Sequence, residues 1–223
     1  SLFRETPVTE DFATLVAHVG RSGARPLFVT GRAGTGKSTA LRELAALYTG
    51  RAAVLAPTGL AALNAGGQTI HSFFRFPIKP LGDSDIRRGA WMQIARKLEL
   101  LIIDEVSMVR ADVLDAIDVA LRHARGTNRP FGDLRLVLFG DPYQLPPIVS
   151  REDERAFAAL AYRSPHFFDA RALVTARLET LEFKTVHRQR DPAWIAVLDR
   201  VRTGATTAED MRMLQRRVDP VDT

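Results

Sequence analysis

The chain has 223 residues, 46% hydrophobic and 26% charged, the balance of an ordinary globular protein of one large domain, with or without a small insertion. It has no apolar run near ~18 residues, so no transmembrane helix is expected, and zero cysteines exclude disulfides, thiolate metal sites and a cysteine nucleophile. A net charge of +5 suits a polyanionic partner without establishing one. The histidines at 18, 71, 123, 166 and 187 form no close pair at ligand spacing, so no structural metal is expected. The opening "SLFRETPVTEDF" lacks the basic and apolar zones of a secretory signal, and a cytoplasmic enzyme is the default expectation.

In chain order, "LFVT" (27–30) reads as a short buried strand, followed by glycines and a helix from about Lys37 to Tyr48. "AAVLA" (52–56) is a second strand, ended by Pro57 and followed by an alanine-rich helix. Between Phe73 and Leu98, "FRFPIKPLGDSDIRRG" mixes prolines and glycines before the helical "AWMQIARKL", which reads as an insertion over the sheet edge. "LLIID" (100–104) is a third strand, "LRLVLFG" (134–140) a fourth and "RLETLEF" (177–183) a fifth. The end of the chain, from Asp191, reads as two short amphipathic helices and a tail. Strands this apolar imply cover on both faces, hence a parallel sheet wrapped by helices, an α/β fold.

"GRAGTGKS", Gly31 to Ser38, stands after a strand and before a helix, the context in which G-x-x-x-x-G-K-[ST] cradles phosphates. Its glycines let backbone amides turn inward, and the helix N-terminus adds partial positive charge. Gly31, Ala33, Gly34, Thr35, Gly36, Lys37, Ser38 and Thr39 are the nucleotide-binding candidates. Lys37 reaches for the outer phosphates, and the Ser38 hydroxyl is a ligand for Mg²⁺. The third strand delivers Asp104 and Glu105 to the sheet's C-terminal edge, where α/β folds bind ligands. Asp104 would hold Mg²⁺ through water, and Glu105 would take a proton from an attacking water. The alternative is that the acids simply mark a strand ending in solvent.

"VLFGDPYQLPPI" (137–148) runs from an apolar strand straight into Gly-Asp-Pro-Tyr-Gln and two prolines. If that strand lies parallel to the others, Asp141, Tyr143 and Gln144 emerge at the same edge. An amide there can donate to a γ-phosphate and orient water. A plain turn with an incidental glutamine is the competing reading.

Together, "GRAGTGKST", "APTGLAALNAGGQTIHSFF", "LLIIDEVSMV", "FGDPYQLPPI" and "TVHRQ" resemble, in order, the motifs of superfamily-one DNA helicases, specifically the Pif-type branch close to the RecD-like enzymes. The resemblance covers roughly residues 27 to 190. It implies a RecA-like P-loop NTPase domain with ATP and Mg²⁺, 5′-to-3′ movement on single-stranded DNA, and service in DNA repair, recombination and replication. It implies catalytic roles for Lys37, Glu105, Gln144 and Arg188, the last touching the γ-phosphate. It also implies DNA contacts from Pro57, Thr58, Gln68, His71, Ser72 and Phe73. Chemically, hydroxyls at helix starts suit phosphates and an aromatic face suits a base, yet Phe73, Phe74 and Phe76 equally suit a core.

By this resemblance residues 1–73 and 98–200 form the ATPase domain and 74–97 a small wedge-like insertion whose Arg75, Lys79, Arg87 and Arg88 face DNA or solvent. Residues 201–223 then lead to a second RecA-like domain. That domain, which a two-domain motor needs, is missing from this chain, so the fragment is expected to bind nucleotide weakly and not to unwind DNA. A monomer without a membrane partner is expected. The family's upstream adenine-reading glutamine is absent from "TPVTEDFATLVAHVGRSGARP". Two other functions compete: a nucleotide switch that binds a partner protein, and an AAA-type remodelling ATPase. The switch has no need of "GGQTIHSFF", and the remodelling enzyme requires a helical lid longer than the C-terminal helices allow.

Overall fold

The computed structural model describes residues 9–21, 23, 25–185 and 191–216. Helix α1 (Glu10–Val19) precedes strand β1 (Leu27–Gly31), then α2 (Lys37–Leu47) and β2 (Ala52–Ala56). Next come α3 (Gly59–Ala65), the two-residue β3 (Gln68–Thr69), α4 (Ile70–Phe74) and α5 (Trp91–Lys97). Strand β4 (Leu100–Ile103), α6 (Ala111–Arg125), β5 (Arg135–Phe139), α7 (Arg151–Ala159), α8 (Arg171–Ala176), β6 (Glu179–Phe183), α9 (Pro192–Arg202) and α10 (Ala208–Gln215) complete the order. Among the described residues no helix is long and apolar enough to cross a membrane.

Six strands form one sheet in the order β3-β2-β4-β5-β1-β6, and every pairing is parallel. The five expected strands are all present. The sixth, β3, is too short to leave a hydrophobic pattern; it forms because Gly67 lets the backbone pass against Val54, where a Cβ would fall 2.1 Å from the Val54 carbonyl oxygen. Helices α1 and α6 stand where the motif reading marks none.

The strand pattern explains the layering. Along β4, Leu100 and Ile102 join the core that contains α1 and α2 residues, while Leu101 and Ile103 join the core built on α6. All four are fully buried. Alternate side chains of a strand point to opposite faces, so a wholly apolar strand requires cover on both.

The segment between α4 and β4 is anchored by aromatic and apolar side chains. Its Phe76, Leu81 and Trp91 join Phe74, the last residue of α4, in the α6-side core. Phe76 stacks on Phe74 with ring centroids 5.1 Å apart, and Trp91 meets Phe74 edge-on at 5.3 Å. A polar tie holds the same segment. The Leu81 N–H donates to Asp112 Oδ2 at 2.7 Å, and Arg110 donates both to Asp112 and to the Lys79 carbonyl.

Candidate active site

Register brings the three candidate motifs to one edge. Val29 of β1 pairs with Phe139 of β5, and Leu138 of β5 pairs with Ile103 of β4. The loop after β1, the acids after β4 and the turn after β5 therefore emerge side by side. They enclose a cleft of ≈ 460 Å³ lined by Ala33, Gly34, Gly36, Lys37, Ser38 and Thr39 from the loop and the start of α2, together with Asp104, Glu105, Asp141 and Gln144. Arg42, one turn into α2, also lines it, a residue no motif announces.

The loop closes through backbone geometry that glycine permits. Gly31 has φ 149° and Gly36, the residue before α2, has φ 88° and ψ 9°. At Gly31 a Cβ would fall 2.5 Å from the Phe183 carbonyl oxygen of β6, so the loop leaves the sheet through a gap only glycine fits. Thr35 is buried and its hydroxyl donates to the Arg32 carbonyl at 2.9 Å, so its side chain braces the loop. Lys37 Nζ donates to the carbonyls of Gly31 at 2.5 Å and Arg32 at 3.1 Å. Ser38 and Thr39 are exposed at the cleft.

Electrostatics mark the same residues. Burial lowers the pKa of Lys37, opposed by Asp141, Glu105 and Asp104. Burial raises the pKa of Asp104, opposed by a 2.9 Å hydrogen bond from the Glu105 N–H and by Lys37. Burial and then the neighbouring Asp104 raise the pKa of Glu105. Glu105 itself has φ 49° and ψ 42°, a left-handed conformation costly for a residue with a Cβ and frequent at functional sites. Two partly desolvated carboxylates beside a hydroxyl make a donor set of hard oxygens. Among the described residues no group of three or more His, Cys, Asp or Glu side chains forms a protein cage for a metal. That set fits Mg²⁺, which takes one or two protein oxygens together with nucleotide phosphates.

A second cleft, of ≈ 680 Å³, adjoins the first. Thr58, Asn64, Ser107 and Leu145 line it, and Glu105 and Gln144 line both clefts. Ser107 Oγ is buried there without a hydrogen-bond partner among the described residues, a feature the sequence does not reveal. Thr58 caps α3 by accepting from the Ala61 N–H at 3.2 Å.

The remaining DNA candidates lie outside the two clefts, on β3 and the segments that follow β2 and β3, where Ala56 pairs with Thr69. Pro57 is half-buried, Gln68 and Ser72 are exposed, and none of them lines either cleft. His71 is half-buried outside both clefts, with its pKa lowered by burial and then by Arg110. Phe73 requires a correction. Its side chain is 5% exposed and meets Phe74 edge-on at 4.7 Å, so the ring belongs to the core and has no face free for a base. Arg188 lies outside the described residues.

A parallel sheet with a phosphate loop between β1 and α2 and an acidic pair after β4 defines a P-loop nucleotide-binding domain. The chain belongs to the PIF1-like helicase family, whose model matches residues 9–212. It is 37% identical over 203 residues to the ATP-dependent DNA helicase PIF7 of Trypanosoma brucei brucei, a match covering 85% of this chain and 19% of that protein. It is 35% identical over 199 residues to the human ATP-dependent DNA helicase PIF1, covering 85% and 29%. A crystal structure of Bacteroides Pif1 bound to single-stranded DNA has a TM-score of 0.85 at 35% identity, over 97% of this chain and 51% of that one. The Bacteroides Pif1 complex with ADP-AlF3 and single-stranded DNA has a TM-score of 0.86 at 34% identity, over 97% and 51%. The chain thus spans less than a third of these two curated relatives and about half of the solved chains.

Proposed function

We propose that this chain is the nucleotide-hydrolysing domain of an ATP-dependent DNA helicase that moves 5′-to-3′ on single-stranded DNA. One observation carries the reading: Lys37, Ser38, Asp104, Glu105 and Gln144 converge in one cleft, and two of them also wall the adjoining cleft that holds Thr58. The relatives' names and the solved Pif1 complexes support the choice of ATP and of single-stranded DNA.

In this reading the loop amides and Lys37 hold the triphosphate. Ser38 and Asp104 would hold Mg²⁺, which supplies charge neutralisation at the phosphates when bound. Glu105 accepts a proton from the attacking water, and its raised pKa makes it a stronger base than an exposed glutamate. Gln144 faces the γ-phosphate and orients that water. Hydrolysis then yields ADP, phosphate and a proton. Loss of the γ-phosphate is felt by Gln144 and Glu105, and through them by whatever occupies the Thr58 cleft. A second RecA-like domain closing on the same edge, with Arg188 at the γ-phosphate, would turn that signal into movement. Residues 74–97 would serve as the wedge-like element; Arg75, Arg87 and Arg88 are exposed there, while Lys79 pairs with Asp85 at 2.7 Å.

The test is ATP hydrolysis by the whole protein with and without single-stranded oligonucleotide. Lys37→Ala should abolish hydrolysis under both conditions, and Gln144→Ala should remove the stimulation by DNA. Hydrolysis that DNA leaves unchanged in the unaltered protein would point to the nucleotide switch instead and remove the DNA roles of Thr58 and His71.

A further inference from the structure

Asp141 is a buried charged group at the cleft with no task in the mechanism above. It lines the cleft together with the phosphate loop and Gln144, where an anionic ligand would bind, and it is 1% exposed. A buried carboxylate beside phosphates needs a cation held close. Lys37 feels the Asp141 charge, but its ammonium donates to the Gly31 and Arg32 carbonyls and does not grip the carboxylate. The partner is Arg202, 61 residues further along the chain at the last position of α9.

The pairing is bidentate. Arg202 Nε donates to Asp141 Oδ2 at 2.8 Å and Nη2 to Oδ1 at 2.9 Å. The same guanidinium lies over the Tyr143 ring, 4.6 Å from its centroid. Asp141 in turn shapes the peptide that carries Gln144. Its Oδ1 accepts from the Tyr143 N–H at 3.1 Å, and its carbonyl accepts from the Gln144 N–H at 3.0 Å. Helix α9 reaches the other wall as well, since Asp199 Oδ1 pairs with Arg32 of the phosphate loop at 3.0 Å and lies 3.6 Å from Arg202. Arg32, Asp199, Arg202 and Asp141 thus form a row of alternating charge joining the loop to the turn. Arg202 does not line the phosphate cleft; it lines an adjoining pocket of ≈ 300 Å³ that shares Ala33, Asp141 and Gln144 with that cleft.

We propose that Arg202 is a positioning residue for nucleotide hydrolysis, gripping both oxygens of Asp141 and covering Tyr143 so that the Gly140–Gln144 turn holds the Gln144 amide toward the cleft. This rests on the assignment of that cleft to ATP. A planar fork fixes its partner's orientation, whereas a lysine supplies only a point charge. The requirement is therefore for arginine and not for positive charge alone.

The experiment compares Arg202→Gln, Arg202→Lys, Asp141→Asn and the Arg202→Gln/Asp141→Asn double variant in the whole protein. It measures kcat and KM for ATP, the Kd of ADP, which lacks the γ-phosphate, and Tm. Both Arg202 variants should lower kcat by about tenfold to a hundredfold, the scale of a misplaced reacting group, while the Kd of ADP changes by less than about threefold. The double variant should be no slower than Arg202→Gln, because the two side chains act as one unit. A kcat within about twofold of the unaltered protein in Arg202→Gln, or full activity in Arg202→Lys, overturns the proposal. So does a loss of kcat matched by an equal loss of ADP affinity, which would make the row a support for the fold alone. If Arg202→Gln does not fold, Arg202→Lys decides. An unaltered protein that hydrolyses no ATP would instead defeat the proposed function.

Discussion

Phe73→Ala separates a core aromatic from a base-stacking one. The ring is 5% exposed and packs edge-on against Phe74, which in turn stacks on Phe76 and meets Trp91. Removing a buried phenyl group leaves a cavity beside Phe74 and costs about 3–5 kcal/mol. Against a total stability of roughly 5–15 kcal/mol this is a large fraction. For a domain of this size each kcal/mol moves Tm by about 2–4 °C, so Tm should fall by roughly 6–20 °C. Single-strand affinity, measured by fluorescence anisotropy at a temperature where the variant stays folded, should change by less than about threefold. A base-stacking ring behaves in the opposite way, since each stacked base contributes about 1–3 kcal/mol to binding. An unchanged Tm with affinity lowered by tenfold or more, about 1.4 kcal/mol, would refute the burial argument.

Two further substitutions test the strained features at the sheet edge. The folded chain holds the pKa of Glu105 above its ordinary 4.5, so between that value and the raised one the folded state binds more protons than the unfolded state. Stability contributed by this group therefore falls as pH rises through that window. Glu105→Gln should raise Tm at neutral pH, and the gain should vanish on acidification below about 4; equal Tm values for the two proteins at pH 7 would contradict the desolvation. Gly67→Ala should lower the urea midpoint by the equivalent of about 1–3 kcal/mol, because its Cβ would meet Val54 backbone atoms at 2.1 and 2.7 Å. A midpoint unchanged within error would mean that the β2–β3 edge yields more easily than the packing implies.

The phosphate loop, the apolar strands and the acidic pair were legible in the sequence because each is written in consecutive residues. Gly31 to Ser38 contains its own turn, its lysine and the start of its helix. "LLII" has no polar face, and a strand with no polar face must be covered on both sides. The parallel order of those strands then carried Gln144 to the edge where Lys37 and Glu105 stand. The family motifs also marked Phe73, but the motif holds no information on which way the ring turns. That is set by the core the ring joins, where Phe74 meets it edge-on and is itself packed against Trp91 from 17 residues further along. The sequence gives equally little sign that Arg202 completes the Asp141 turn or that Asp112 ties down Leu81. A bidentate ion pair between Asp141 and Arg202 depends on the end of α9 lying against the turn after β5, and no local pattern encodes that. Local chemistry names the groups that can hold a phosphate, and only the packing of distant segments decides which of the others hold them in place.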